Sequence, residues 1–542
     1  MSSEGMTRRE LLRRGGLAGG LLAVPGALRS EAAPAAAPAA PAVPATGLRV
    51  GPDIYQSIGV RPLINARGTY TILSGSTMLP EVREAMAAAS QHYVHLDELA
   101  EAVGTRLAEL TKAEWGLVTV GCAAALTHAT AACVAGGNPD LHVRIPNLAG
   151  FPRDEVVIPK HSRNVYDAAL RAVGVRVIEV ATPAELDAAL GPKTALVYIL
   201  AGPEADESPL NTKAVAALAQ ARNVPVLVDA AAEILTVPNV HLQNGATLVA
   251  YSGGKCLRGP QAAGLLLGRK DLVKAAWVHS APHHGYSRSM KVGKEEAIGM
   301  LMAVEMWMKR DHDAEWKRWT SWLDSVARRV STIEGVTTNV VPPRGLSNRM
   351  PSLRVLWDRQ RLGLAGDAVV KTLFDTDPRV GVFPARGDSE PALTGVSVHP
   401  YMMAPGDEKV VGDRLYAILS AAQGHPAADP APAAPAADLS GQWDVHIEYA
   451  AGASDHGLSL RQRGNEIDGA HRGDFVTRDL VGTIEGDAVK LRSNYAESHG
   501  DALNYSFAGK VTGDQMAGTL ELGEYLGARW TARRRGPRGA RA

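Results

Sequence analysis

The sequence predicts an α/β body on a mostly parallel sheet, then a smaller α+β unit, then a C-terminal antiparallel β-barrel or sandwich. Three observations predict this. Through the middle of the chain, short apolar strands alternate with Ala/Leu-rich helical stretches, the pattern of βαβ units. From about Ser331 that rhythm gives way to a mixed unit. After a second Ala/Pro tract, apolar and polar residues alternate between Gly-Asn and Gly-Asp pairs, the hairpin signature.

At 542 residues and 46% hydrophobic, the chain exceeds what one core holds, roughly 250–300 residues, so two or three cored domains are expected. Its 57 Lys+Arg balance 57 Asp+Glu and are spread along the chain, so no nucleic-acid footprint is visible. No apolar run reaches the roughly 20 residues of an interior membrane helix. The three cysteines form neither a disulfide framework nor a metal-ligand pattern. Cys122 and Cys133 fall in a helical stretch and read as packing residues.

The N-terminus carries Arg8-Arg9 with Leu11 and Leu12 just beyond, then a charge-free run from Gly15 to Ala27. Basic residues before a short apolar segment make residues 1–30 a signal peptide. The arginine pair resembles the twin-arginine export signal. A chance pair in an ordinary secretory signal is the alternative, and the Gly-rich, moderate hydrophobicity favours the twin-arginine route to the periplasm. Residues 31–50 are an Ala/Pro linker. The large α/β domain is assigned to 51–330 and the small α+β domain to 331–424. A second Ala/Pro linker covers 425–438, and the antiparallel β domain 439–535.

In the body, Leu117–Val120 is read as a strand leading into a helix from Cys122 to Val134. Val156–Ile158 precedes a helix around Tyr166–Val173, and Ala195–Leu200 is another strand. Val224–Val228 ends at Asp229, Thr247–Tyr251 ends at Ser252, and Gly264–Leu267 follows between glycines. In the small unit, Ser352–Leu356 and Val396–His399 read as strands and Glu408–Ala422 as a helix. The last segment alternates through Trp443–Tyr449 and Val489–Arg492, with turns at Gly464-Asn465, Gly486-Asp487 and Gly513-Asp514. It holds no catalytic constellation. Binding, docking or capping of the body are the roles open to it, and a small apolar ligand has no residue to support it.

The chemistry concentrates at Tyr251-Ser252-Gly253-Gly254-Lys255 and Gly259-Pro260-Gln261-Ala262-Ala263-Gly264. A lysine on a glycine-flanked turn just past a strand suits a Schiff-base amine, because glycines let the backbone approach a bulky ring and burial favours the neutral nucleophile. A nucleotide loop fails on spacing, since Val249 and Cys256 stand where Gly and Ser/Thr would be needed. Asp229 ends its strand at the carboxyl edge, where parallel sheets bind ligands. A helix cap is the ordinary role for such an aspartate, and Lys255 raises the catalytic reading above it. The small residues Gly121-Cys122-Ala123 join a strand to a helix, and the free N–H groups of such a helix start form a cup for a phosphate.

These blocks, with Ile64–Thr69, His92–Leu99 and Arg288–Glu296, resemble the fold-type I pyridoxal-phosphate (PLP) enzymes, aminotransferase class V-like. Within these they are most similar to the group related to selenocysteine synthase and D-glucosaminate-6-phosphate ammonia-lyase. The resemblance covers roughly residues 52–420. It implies that Lys255 binds the cofactor's aldehyde and that Asp229 contacts the ring nitrogen. It further implies that Ser252 and the Gly121–Ala123 turn hold the phosphate. His161 is the candidate to stack on the ring, with Arg163 the competing residue. Arg288 and Lys291 match positions near a substrate anion, across a subunit interface or not; a solvated basic helix start explains them equally well. Arg67 meets a substrate carboxylate or closes a salt bridge.

The resemblance implies a homodimer or larger even assembly acting on an amino acid or amino sugar acid through a Cα carbanion. Ammonia-releasing β-elimination is favoured. Selenocysteine synthase-like transfer, racemisation or transamination share the same first steps. A non-catalytic binding or scaffold protein is the reading from outside the enzymes, and Lys255 with Asp229 stands against it.

Overall fold

The computed structural model describes residues 47–387, 393–423, 432–497, 499–500 and 502–536. The expected export leader and parts of both expected linkers lie outside the described residues. Residues 47–62 belong to a unit separate from the rest. In it Gln56–Ile58 makes a 3-10 turn closed by Gly59 at φ 79°, and Arg49 pairs with Asp53 at 2.6 Å.

The second unit begins with β1 (Ile64–Asn65) and continues into β2 (Trp115–Thr119), β3 (Glu155–Pro159), β4 (Arg176–Val180) and β5 (Thr194–Leu200). Then come β6 (Val226–Asp229), β7 (Leu248–Ser252) and β8 (Gly264–Gly268). Seven of these strands form one sheet in the order β2-β8-β7-β6-β5-β3-β4. All neighbouring pairs are parallel except those of β8, which runs antiparallel to β2 and to β7. The strands read as continuous apolar runs because both faces are covered. Val226, Val228, Leu265 and Leu267 join one core, while Leu227, Leu266, Leu196 and Tyr198 join the other. The helix Cys122–Ala135 buries every residue except Ala123, which its alanine-rich, all-round apolar sequence requires.

The helix expected around Tyr166–Val173 is instead a 3-10 turn, Val165–Asp167, followed by the short helix Ala168–Arg171. Asn164 caps the turn through the Tyr166 N–H at 2.8 Å. The buried Asp167 side chain is held between Arg163 and Arg171 at 2.6 and 2.7 Å. Local polar bonds therefore override helical continuation.

The small unit contains β9 (Val336–Val341), β10 (Ser352–Asp358), β11 (Val380–Gly381), β12 (Phe383–Arg386) and β13 (Leu393–Val398). Four of them make an antiparallel sheet, β12-β13-β10-β9, and β11 pairs in parallel with β1. Leu353, Val355, Trp357 and Val396 pack against Val411, Leu415 and Leu419 of the helix Asp407–Ala422. Trp322, Leu323, Val326 and Val330 of the preceding helix, His312–Val330, enter the same core. The change of pattern near Ser331 thus marks the end of a helix already packed into this core.

The C-terminal segment is a closed barrel. Its strands are β14 (Gly441–Glu448), β15 (Ala453–Arg463), β16 (Glu466–Arg472), β17 (Thr477–Glu485), β18 (Ala488–Ala496), β19 (Ala502–Thr512), β20 (Gln515–Glu521) and β21 (Gly527–Arg534). Each pairs antiparallel with the next, and β21 returns to β14, which decides for a barrel over a sandwich. Gly464, Gly486 and Gly513 have φ of 62°, 58° and 58°, the positive value that a glycine-first tight turn needs. The ring of Phe507 meets Trp530 edge-on at 5.2 Å in the interior. Phe507→Ala is expected to destabilise the barrel by about 3–5 kcal/mol, read by chemical denaturation through the fluorescence of Trp443 and Trp530. A loss below about 1 kcal/mol would mean that the ring is not part of a packed core.

Candidate active site

The parallel strands deliver their carboxyl ends to one edge of the sheet. In register there, Leu200 faces Asp229, Asp229 faces Ala250, and Ser252 faces Gly264, which faces Thr119. Lys255 is half-buried on the turn that leaves β7. The Gly253 N–H donates to the Ala263 carbonyl at 2.8 Å, and the Gly259 N–H to the Gly253 carbonyl at 2.8 Å. A Cβ on Gly253 would stand 2.6 Å from Met300 Sδ, so the turn closes only around glycine.

Asp229 is 2% exposed. Its Oδ1 accepts from the Ala231 N–H at 3.0 Å, and its Oδ2 from the Tyr198 hydroxyl at 2.9 Å. The Cys122 thiol lies 3.6 Å from Oδ1. Burial pushes the Asp229 pKa up, while the Ala231 N–H, Tyr198 and the Lys255 ammonium draw it back. The carboxylate therefore gains from any further cation placed beside it. The Cys122 thiol is pushed up by burial and then by Asp229. Cys133 is the packing residue expected, whereas Cys122 also reaches into the site.

Gly264 presses onto the peptide between Gly121 and Cys122. A Cβ on it would stand 2.4 Å from the Gly121 carbonyl oxygen. Gly121 itself has φ 88°, and a Cβ there would meet nothing within 4 Å. No side chain caps the helix that starts at Cys122, so its first N–H groups and positive dipole end open toward this space. Ser252 lies at the end of β7, half-buried, in register with Gly264.

His161 sits in the turn Lys160–Ser162 just after β3. Its Nε2 is buried without a partner, and burial lowers its pKa, which keeps the ring neutral. Arg163 is committed elsewhere, bonded to Asp167 and Glu179 with a side chain 7% exposed. Of the two alternatives, only His161 has an uncommitted group. Arg67 closes no ion pair among the described residues. Its guanidinium lies 4.5 Å from the Phe383 ring and 5.3 Å from that of Tyr70, with Nε buried and unpartnered. The same loop continues to Gly75, where a Cβ would stand 2.7 Å from the Gly254 carbonyl oxygen. Arg288 and Lys291 are exposed and bond to neither Lys255 nor Asp229. They do not start a helix, because the helix begins at Lys294 after Gly293.

Two residues, Tyr198 and its partner Asn164, escaped sequence reasoning. Tyr198, fully buried in β5, donates to Asp229 and accepts from Asn164 Nδ2 at 3.0 Å. A tyrosine within the aliphatic run Ala-Leu-Val-Tyr-Ile-Leu was the available signal, since a buried hydroxyl needs a partner.

An aminotransferase class-V profile matches residues 158–341. D-glucosaminate-6-phosphate ammonia lyase of Salmonella typhimurium is 32% identical over 298 residues, 53% of this chain and 78% of that protein. The 5'-C-glycyluridine monooxygenase-decarboxylase of a Streptomyces species is 33% identical over 296 residues, 52% and 72% of the two chains. The solved structure of a D-glucosaminate-6-phosphate ammonia-lyase superposes with a TM-score of 0.61 at 28% identity, covering 68% of this chain and 99% of that one. The residues described fit pyridoxal phosphate: a lysine for its aldehyde, a buried carboxylate in want of a cation, and an open, uncapped helix start for its phosphate. By this similarity and this site, the chain belongs to the fold-type I pyridoxal-phosphate-dependent enzymes with an aminotransferase class-V domain, alongside D-glucosaminate-6-phosphate ammonia-lyase.

Proposed function

We propose that this enzyme eliminates a β-substituent from an amino acid or amino sugar acid, after which hydrolysis of the resulting enamine gives a keto product and ammonia. The observation that carries the reading is Lys255 and Asp229 at one sheet edge, near enough for the ammonium to steady the buried carboxylate. Bound pyridoxal phosphate supplies a protonated ring that takes up the electron pair left at Cα. Asp229 would pair with the ring nitrogen and keep positive charge there, while Tyr198 and the Ala231 N–H fix its two oxygens. The Lys255 amine would hold the cofactor's aldehyde and, once free, would take the Cα proton. The helix start at Gly121–Ala123 and Ser252 would hold the phosphate, and His161 would lie against the ring. Arg67, Arg288 and Lys291 offer positive charge to an anionic substrate.

Elimination is preferred to transfer, racemisation and transamination because the ammonia-lyase likeness spans 99% of the compared chain. A selenocysteine synthase-like transfer has narrower support. The L-seryl-tRNA(Sec) selenium transferase of Proteus mirabilis matches over 90 residues, 18% of that protein.

Borohydride reduction of the holoenzyme is expected to leave a pyridoxyl label on Lys255, and Lys255→Ala to lose both the label and the visible absorption band. Turnover should fall about 10²–10⁴-fold in that variant. Asp229→Asn should keep the label and lose about 10²–10³-fold. Ammonia and keto-acid release across D- and L-amino acids and amino sugar acids tests the reaction type; Cα-proton exchange without ammonia would make the enzyme a racemase instead.

We also place the protein in the periplasm by the twin-arginine route, on the strength of Arg8-Arg9 and the apolar run after them. Replacing both by lysine is expected to hold the protein in the cytoplasm on cell fractionation, and export that continued unchanged would refute the route.

A homodimer or larger even assembly is supported by large side chains left bare: Ile72, on the loop whose Gly75 reaches the Gly254 carbonyl, is 83% exposed, and Tyr93 is fully exposed. Sedimentation of the holoenzyme should give twice the chain mass or a larger even multiple, and a monomer would refute it.

A further inference from the structure

Along the barrel axis the inward-facing residues change character. Near the Gly464, Gly486 and Gly513 turns they are apolar, including Leu460, Ile467, Ile484, Val489 and Met516. Near the opposite connections, four successive strands turn polar groups inward: His456 on β15, His471 on β16, Arg478 on β17 and Ser493 on β18, all buried. Tyr505 on β19 stands beside them.

Most of this cluster satisfies itself. His456 Nδ1 and His471 Nε2 are 2.8 Å apart, and His471 Nδ1 is 2.6 Å from Ser493 Oγ. His456 Nε2 also meets Ser454 Oγ at 3.0 Å and, more distantly, Asp474 at 3.5 Å. Burial lowers the pKa of both histidines, His471 to about 3, so neither ring brings charge to the cluster at neutral pH.

Arg478 is the exception. It stands opposite His471 in the β16–β17 register and is 6% exposed. Its guanidinium packs 4.6 Å from the centre of the Tyr505 ring. Its Nε is buried without a partner, its contact to His471 is 3.5 Å, and no carboxylate pairs with it among the described residues. Asp474, the carboxylate in this neighbourhood, is half exposed and makes no ion pair with the guanidinium, and neutral imidazoles supply no counter-charge, so the buried guanidinium is left unfavourably placed. One planar fork matches one carboxylate in a two-point bond. Apolar side chains stand at the same end: Phe475, 98% exposed, on the β16–β17 connection, and Leu526, 68% exposed, on the β20–β21 connection.

We propose that this end of the barrel binds the carboxylate of a small organic acid with an apolar tail, held by Arg478 with the His456–His471–Ser493 group beside it. Inorganic phosphate shares the anionic chemistry but brings up to two charges to a single guanidinium and has no tail to cover.

The test is titration of the full-length holoenzyme with octanoate, acetate and inorganic phosphate, by calorimetry and by thermal unfolding. Octanoate is expected to bind once per chain and raise the unfolding temperature, acetate to bind more weakly, and phosphate not to compete. Arg478→Gln should weaken octanoate about tenfold or more. It should leave the visible cofactor band intact and the ligand-free unfolding temperature unchanged or higher, since it removes an uncompensated buried charge. Arg478→Lys, which keeps the charge and loses the fork, should also bind more weakly. Lys255→Ala should bind as the wild type does, which separates the barrel from the active site. Equal octanoate binding by Arg478→Gln, no binding by the wild type, or loss of binding in Lys255→Ala would overturn the proposal. Phosphate binding in place of octanoate would overturn the choice of a carboxylate.

Discussion

The constraint on which the body depends is a carboxylate buried at the edge of a sheet. Asp229 is almost wholly removed from water, a position that favours the neutral acid unless charge or hydrogen bonds hold the anion. The fold supplies most of what is needed: a backbone N–H two residues on, a phenol from β5, a thiol from the neighbouring helix, and the Lys255 ammonium. The rest is left to a cation at the ring position of pyridoxal phosphate. A pairing completed only by the cofactor couples binding to the electronic state that the chemistry uses.

The antiparallel strand β8 makes this arrangement compact. The proposed phosphate cup follows β2 and Lys255 follows β7, with β8 between them. Two strand spacings, roughly 10 Å, therefore separate the two chain segments. Because β8 runs against its neighbours, its first residue, and not its last, lies at the active edge. That residue is Gly264, against which the Gly121–Cys122 peptide packs. Any side chain there would push the Gly121–Cys122 turn away from the lysine turn, so one glycine sets the spacing between the two segments proposed to hold the cofactor's ends.

What the sequence disclosed and what it hid divide by range. The placement of Lys255 and Asp229 at the sheet edge was legible because their signals are local: glycines around a lysine, and an acid closing an apolar strand. The direction of β8 was not, since a glycine-flanked run of leucines reads the same either way. The helix expected at Tyr166–Val173 failed because Asp167 bonds two arginines, one preceding and one following it, a competition that hydrophobic spacing does not register. Tyr198 was passed over because its partner stands 31 residues away in sequence. Whether the last segment was a barrel or a sandwich turned on the pairing of β14 with β21, about which alternation within a strand says nothing. The polar residues inside the barrel were likewise hidden, because a strand's inward face can be named from alternation only when it is apolar.

The barrel's polar end is also the end that meets the body. A Cβ on Gly500, in the β18–β19 connection, would stand 3.7 Å from Val165 Cγ1 and 3.9 Å from Asn164 Cα. Asn164 in turn donates to Tyr198, and Tyr198 to Asp229. Gly500 thus lies against the residue that bonds Tyr198, the support of Asp229. The two ends of the barrel differ: the apolar end is closed by two-residue turns around a packed core, and the polar end carries Gly500, which approaches the body. A module that only capped the body would have no use for a buried arginine facing inward at that end. Arg478 is buried with its Nε unpartnered and no ion pair among the described residues, and the proposed binding role would account for its place there.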